Sequence, residues 1–410
     1  WTAIDGEVYD ITEFAARHPG GGIIRLAAGR EADLLLESYH SSDGLRRAHR
    51  LLRRVPRVGA LRPEDRAPRG DPAFFETVRA RVEAHLRDRG LSRHHGARAR
   101  ALELLALTLA LALCWCLRAL TGSYLAAIAC GLLIARLGFL QHSGNHAAAG
   151  ATRAANRRAG LLMDALGGSS RVWSVEHQLA HHLHPNVLRR DNDCEIASPL
   201  LRLHPGLPRR FWHRGQHVTT FALMSVGLLK WLVSDLVDHL RGRVGNAPFH
   251  ASARDWALVL ACKSTWLIIH VLVPAALLGW PAALATTVVM MASAAYYLES
   301  IFIVNHIQPG LVPPARAHWA VVQVRATANW SSGSRLANAL SGGLNHQIEH
   351  HLFPGLAIAL YPEISPIVRR TCEEFGLPYN DFPGFFAAWR STFAYLRELG
   401  LPPRRASTTR

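Results

Sequence analysis

Four apolar runs, near residues 101–120, 123–140, 256–279 and 282–304, each approach the ~20 residues that a helix needs to cross a hydrocarbon layer. Nothing else in this 410-residue chain restricts its fold so strongly, because a segment in lipid must satisfy its backbone N–H and C=O groups internally. Only LTGS separates the first two runs and only GWP the last two, so they read as two helical hairpins. Arginines (Arg153, Arg157, Arg158, Arg189, Arg190, Arg209, Arg210) crowd the 141–255 segment, while the short turns hold almost no charge. The positive-inside rule then puts residues 1–100, 141–255 and 305–410 together on the cytosolic side. A fifth stretch, 218–236, is broken by Lys230 and Asp235 and reads as a helix lying in the interface. Among the polar residues within the runs, Arg136 and Lys263 read as snorkelling or as interhelical hydrogen bonds; Glu299 and His270 are left open.

Ahead of the spans the chain changes character. Residues 1–52 carry 8 acidic and 6 basic side chains against 22 and 40 in the remainder, so the whole +16 arises after residue 52. A mildly acidic head thus precedes a basic, apolar body. Since the arginines flank apolar runs, membrane lipids with anionic headgroups are the expected partners, and no nucleic acid is. Residues 53–75, RRVPRVGALRPEDRAPRGDPAFF, have the composition of a linker. The six cysteines show neither zinc-site spacing nor a disulfide framework, which fits a reduced, cytosol-facing protein. The chain opens at Trp1 without Met or signal sequence, so the natural N-terminus is expected to lie upstream.

Three histidine clusters follow the span ends: QHSGNH (141–146), HQLAHH (177–182) and QIEHH (347–351). His142 and His146 stand four apart, as do His177 and His181, with His182 adjacent; Gln347, His350 and His351 stand at i, i+3 and i+4. On a helix His142 and His146 face the same way, His177 and His181 likewise with His182 adding a neighbouring direction, so each box is a two- or three-toothed comb of ligands. His306, just past the fourth run, adds a lone imidazole at the same depth. Neutral imidazoles suit iron, copper, zinc or nickel. Seven box histidines plus His306 exceed what one four-coordinate zinc uses, so the count asks for two metals, and iron activating dioxygen suits such a nitrogen-rich pair in a membrane. His184, His204, His213, His217, His318 and His346 read as ordinary surface or core histidines.

The head carries a separate signal. HPGG (18–21) is followed 22 residues on by His40, so His18 and His40 can clamp a haem iron from opposite faces and leave no open position, an electron-transfer centre.

Together DGEVYDIT, HPGG, the three boxes in order, HRGQH, VNHI and GGLNHQIEHHLFPG resemble the front-end fatty acid desaturases, membrane enzymes with a fused cytochrome b5 domain. The Gln that opens the third box is a mark of that family. The resemblance implies an α-helical integral membrane protein with four transmembrane helices and a cytosolic histidine-rich cap, preceded by a small α+β haem domain. That domain is expected to be N-terminally truncated, its usual first strand and helix being absent. The implied domains are 1–55 (haem), 56–100 (linker and pre-membrane segment), 101–385 (desaturase) and 386–410 (tail). A di-iron centre is implied on His142, His146, His177, His181, His182, His306, His350 and His351, with Gln347 beside it and haem b on His18 and His40. Asn345 and Glu349 are implied to orient imidazoles by hydrogen bonds.

The implied reaction inserts a cis double bond on the carboxyl side of an existing one in a polyunsaturated acyl chain, carried on coenzyme A or a phospholipid, with delta-5 or delta-4 favoured over delta-6 or delta-8. Unactivated C–H bonds need a metal–oxygen oxidant, dioxygen and two electrons, which NADH–cytochrome b5 reductase would deliver through the haem. The implied location is the endoplasmic reticulum membrane, and an acidic head would dock electrostatically on the basic body. The alternatives are a sphingolipid long-chain-base desaturase, a hydroxylase, or a membrane-anchored b5-type electron carrier with inactive boxes.

Overall fold

The computed structural model describes residues 1–67, 69–314 and 317–402, so the last eight residues of the expected tail lie outside the described residues. In the head, strands β1 (Thr2–Ile4) and β2 (Glu7–Tyr9) pair antiparallel. They reverse through Asp5 and Gly6, both at positive φ (53° and 77°), the conformation of a two-residue hairpin turn. Helices α1 (Thr12–Arg17), α2 (Asp33–Tyr39) and α3 (Ser42–Leu52) follow. Part of the stretch read as a linker is not one: Arg57–Ala60 forms β3 and pairs with β2, Glu7 opposite Ala60. This edge strand is exposed, so no apolar alternation announces it; backbone pairing alone places it.

Among the described residues, four helices are long and apolar enough to cross a membrane: Ala97–Thr121, Tyr124–Asn145, Ala253–Leu278 and Trp280–His306. The first hairpin turns because Gly122 adopts φ 68° and the Ser123 hydroxyl caps the next helix by accepting from the Ala126 N–H. The second turns at Gly279, φ 82°, with Pro281 in the following first turn. The first span presents Leu102, Leu105, Leu109, Leu113, Leu117 and Leu120 outward, the stripe expected to face lipid.

The second and fourth spans pack backbone to backbone. A Cβ on Gly131 would stand 2.2 Å from the Met290 carbonyl oxygen, and Ala127, Ala135, Ala294 and Ala295 are all fully buried in the same core. Small residues permit such contact where lipid supplies no hydrophobic drive between helices.

The fifth apolar stretch is two helices, Phe211–Met224 continuing into Gly227–Arg241 with a 79° bend between them. A full crossing there would put His142 and His306 on opposite sides, yet they belong to adjoining imidazole groups within one site. The stretch therefore returns to the side it left. Lys263 lies within the third span and donates to the carbonyls of Trp231 (2.7 Å) and Gly167 (2.8 Å) and to Asp235 (3.2 Å), an interhelical role. Arg136 likewise pairs with Glu103 and the Ala339 carbonyl. The His270 carbonyl, in a π-helical turn, accepts from Arg118 (2.6 Å) and Thr287 (2.7 Å).

Head and body share one core: Ile4, Leu26 and Leu35 pack with Val172, Leu179 and Phe249. Arg153 donates to the carbonyls of Ala16, Arg17 and Pro19 at the end of α1. Docking thus rests on buried apolar area and backbone hydrogen bonds rather than on the opposite net charges of the two parts. Gly131→Leu should destabilise the detergent-solubilised protein by on the order of 3 kcal/mol, read as a lowered thermal midpoint. Leu109→Ala on the lipid face should stay within about 0.5 kcal/mol.

Candidate metal centre and haem site

Eight imidazoles converge where the second and fourth spans end. His142, His146, His177, His182 and His350 form one group and His181, His306 and His351 a second; within each, one ring nitrogen per residue lies within 4.8 Å of all the others. The groups share a wall, His182 stacking on His351 with centroids 4.2 Å apart.

Local helix geometry decides which ring joins which group. His142 and His146, in the last turn and at the C-terminal end of the second span, face the same way as expected. The second box departs from its α-helical reading. Ser174–His181 is π-helical and the His182 N–H donates to the His177 carbonyl (2.8 Å), so the five-residue step aligns His177 with His182 and turns His181 to the other group. In the third box, helix Gln347–Leu352, His350 and His351 are adjacent and point about 100° apart, one to each group. The expected same-way pairing thus holds for His142 with His146 and not for His177 with His181.

The donor set fits metal ions. His146 Nε2, His306 Nδ1, His350 Nε2 and His351 Nε2 are buried without a hydrogen-bond partner, an expense that a ligand would remove. His177 Nε2 faces His142 Nε2 at 3.0 Å and His182 Nε2 at 3.2 Å. Two donors at right angles, each about 2.1 Å from one metal, stand about 3.0 Å apart. Burial first, then neighbouring imidazoles, holds His177, His182, His350 and His351 well below the ordinary pKa of 6.5, in the neutral form that binds metal.

The opposite ring nitrogens are held from outside. His350 Nδ1 meets the Tyr361 hydroxyl (3.1 Å), His351 Nδ1 the Gln323 Oε1 (2.8 Å) and His146 Nδ1 the Tyr39 hydroxyl (2.8 Å). His181 Nδ1 meets Asp191 at 3.1 Å. Burial opposes charge on His181, but Asp191 and Asp193 outweigh it and push its pKa up to about 9. Of these four partners only Asp191 left a trace in the sequence, an acidic DNDCE in an arginine-rich segment.

Asn345 and Glu349 differ from expectation. Asn345 bonds Ser341 and the Trp330 carbonyl, while Glu349 accepts from Tyr379 (2.7 Å) and Asn329 (2.8 Å); they brace the third box from behind rather than contact a ring of either group. Gln347 lies 2.9 Å from His306 Nε2 and accepts from Asn305. His346 is fully buried and lies outside both groups.

In the head, His18 ends α1 and His40 ends α2. Their ring centroids stand 6.2 Å apart, a separation at which the two rings would hold one haem iron between them. His40 Nδ1 donates to the Leu36 carbonyl (2.9 Å), freeing Nε2. Gly20 explains HPGG, because a Cβ there would stand 2.9 Å from His18 Cε1. Burial pushes the His18 pKa down to about 4, leaving a neutral ligand. A cavity of about 680 Å³ holds both rings between Phe14, Ile23 and Leu35, and the body closes it with Ala147, Ala151 and Thr152. A second cavity, about 420 Å³ and mostly apolar, has His142, His177, His181 and His306 in its wall beside Leu298 and Phe302. Glu299, left open by the sequence, lines it with Lys230.

An eight-imidazole centre under a multi-pass helical body, with a bis-histidine head docked on it, defines a membrane redox enzyme fed by a haem domain. Residues 119–383 match the fatty acid desaturase family and residues 1–62 the cytochrome b5-like heme/steroid binding domain. The chain is 33% identical to the chloroplastic acyl-lipid (7-3)-desaturase of Chlamydomonas reinhardtii, over 98% of this chain and 80% of that one. It is 29% identical to an acyl-lipid (8-3)-desaturase of Physcomitrium patens (98% and 88%) and 27% identical to the delta(5) fatty acid desaturase A of Dictyostelium discoideum (98% and 91%). The chain belongs to the cytochrome b5-fused front-end membrane fatty acid desaturases, oxygen-dependent oxidoreductases.

Below pH 6.5 the unfolded chain protonates its imidazoles while those of His177, His182, His350 and His351 stay neutral in the fold. Unfolding then takes up protons, so stability is full above pH 6.5 and falls as pH drops beneath it. His181, with its folded pKa raised, contributes fully below 6.5 and loses its contribution only as pH rises through about 9. Metal-stripped, haem-free protein should therefore show a falling thermal midpoint from about pH 6.5 downward.

Proposed function

We propose that this chain is a front-end desaturase of the delta-5 or delta-4 type, inserting a cis double bond toward the carboxyl end of a polyunsaturated acyl chain. One observation carries the reading: the apolar cavity has two imidazoles of each group in its wall, His142 and His177 of one and His181 and His306 of the other, so an alkyl chain lying there passes beside both groups. The names of the relatives, (7-3), (8-3) and delta(5), support the front-end preference. Two irons are assigned to the two groups: His142, His146, His177, His182 and His350 hold one, and His181, His306 and His351 the other, with Gln347 against His306. Haem b is assigned to His18 and His40.

Iron bound there supplies the dioxygen-derived oxidant that removes two hydrogens from unactivated carbons. The chain's own residues make that chemistry selective. Tyr361, Gln323 and Asp191 fix the ring orientations, and metal-ligating imidazoles depend on such outer partners. Leu298, Phe302 and Ile134 exclude water and hold the alkyl chain straight past the site. Arginine-rich segments on the site's side of the spans support a cytosol-facing centre in the endoplasmic reticulum, with NADH–cytochrome b5 reductase as electron source and acyl-CoA or acyl-phospholipid as substrate.

Yeast expressing the chain and fed a panel of polyunsaturated acids should form a new double bond on the carboxyl side, located by mass spectrometry. His350→Ala and His351→Ala should each abolish it. A product carrying the new bond in a sphingoid base, with none in fatty acids, would overturn the acyl reading.

A further inference from the structure

We propose that Tyr39, supplied by the head, is a positioning residue of the five-imidazole group and the bridge through which electrons pass to it from the haem. The proposal rests on the metal-centre assignment above and adds to it a residue that lies outside every histidine box.

Helix α2 ends in two consecutive residues that serve different centres. His40 stands across the haem cavity from His18. The Tyr39 ring lines the same cavity, and its hydroxyl lies 2.8 Å from Nδ1 of His146. The two rings are nearly parallel, 16° apart. His146 is the pivot on the other side: its Nε2 is buried without a partner and the ring belongs to the imidazole group, while Ala147, Ala151 and Thr152, in the chain that follows, help close the haem cavity. One side chain therefore connects the haem cavity with a metal ligand by a single hydrogen bond.

That hydrogen bond also sets the chemistry of His146. If Nδ1 donates its proton to the Tyr39 oxygen, Nε2 keeps a free lone pair aimed at the group, and the ring cannot turn away. Gln178 holds the phenol in place, donating to the same oxygen at 3.2 Å and to the Asn145 carbonyl at 2.7 Å. With haem held by His18 and His40 and iron by the group of His146, the bridge would carry one electron at a time from ferrous haem to ferric iron, oxidising the first and reducing the second, with no bond broken and no proton lost from Tyr39. Two such transfers, each preceded by one-electron reduction of the haem by a flavoprotein-class donor, match the two electrons that a double bond requires.

The hydroxyl can be removed without undocking the head. Elsewhere α2 and its neighbour are anchored by Glu37, which accepts from the Trp319 indole (2.9 Å), and by Glu83, which accepts from the Ser42 N–H (2.7 Å). Arg153 and the shared apolar core hold the rest. Tyr39→Phe keeps the ring and its packing and deletes the bridge to His146 together with the Gln178 contact, while Gln178 keeps its bond to the Asn145 carbonyl.

The test uses the full chain loaded with haem and iron. The haem is reduced with dithionite, excess reductant is removed, and its reoxidation is followed at the Soret band after mixing with dioxygen and acyl substrate, with metal-free protein as baseline. Tyr39→Phe should slow the metal-dependent reoxidation by about ten-fold or more. The Soret maximum and haem midpoint potential should stay at parental values. With cobalt(II) in place of iron, the same variant should shift the visible ligand-field bands, because a ligand ring has lost its anchor. Parental reoxidation together with a parental cobalt spectrum would overturn the proposal. So would equal slowing in Glu37→Gln, since the contact would then serve docking alone. Parental metal content and turnover in His350→Ala would instead overturn the metal-centre assignment beneath it.

Discussion

The structure depends on how closely the second and fourth spans approach. The Met290 carbonyl sits where Gly131 would carry a side chain, and alanines line the rest of the contact. These two helices end in His142–His146 and in His306, so their spacing sets the separation of the first and second imidazole groups. A larger residue between them would move two ligand-bearing helix ends at once. The packing is tight for a functional reason as well as a structural one, since lipid offers no drive to restore a contact once opened.

A second constraint is the cost of six buried and two half-buried imidazoles. A buried ring nitrogen without a partner is unfavourable in the metal-free fold, and for His177, His182, His350 and His351 burial opposes protonation as a remedy. The body offsets part of this by satisfying the other nitrogens, through Tyr361, Gln323, Asp191 and Tyr39. It also braces the third box from behind with Glu349, which takes hydrogen bonds from Tyr379 and Asn329. The site is thus preorganised, its rings held from outside by the helices that surround it.

The spans and the eight histidines were legible because both signals are local: an apolar run of sufficient length, and imidazoles at helical spacing. Their distribution between two groups was not. A π-helical register at Ser174–His181 reads in sequence as an ordinary helix, so His181 was expected beside His177 when it faces the other way. β3 was hidden because its residues are exposed and its pairing is made by backbone alone. Asn345, named from motif similarity, bonds Ser341 and the chain at Trp330, whereas the ring partners Gln323 and Tyr361 lie 28 and 11 residues from the rings they hold and belong to no motif. Tyr39 is the extreme case, 107 residues from His146 and in a different domain.

That last separation bears on why the haem domain is fused rather than free. A diffusing electron donor has to present its haem edge in an encounter, and nothing requires it to leave a side chain in its partner's site. Here α2 inserts Glu37 against Trp319 and Tyr39 against His146, and the body in turn walls the haem cavity with the residues that follow His146. Each domain completes a site in the other. Fusion holds such an arrangement at a fixed register, which net-charge attraction between an acidic head and a basic body would not supply, because exposed charges more than a Debye length apart are largely screened at physiological salt. The apolar core shared by Ile4, Leu35, Val172 and Phe249 provides the register instead, and it is insensitive to ionic strength.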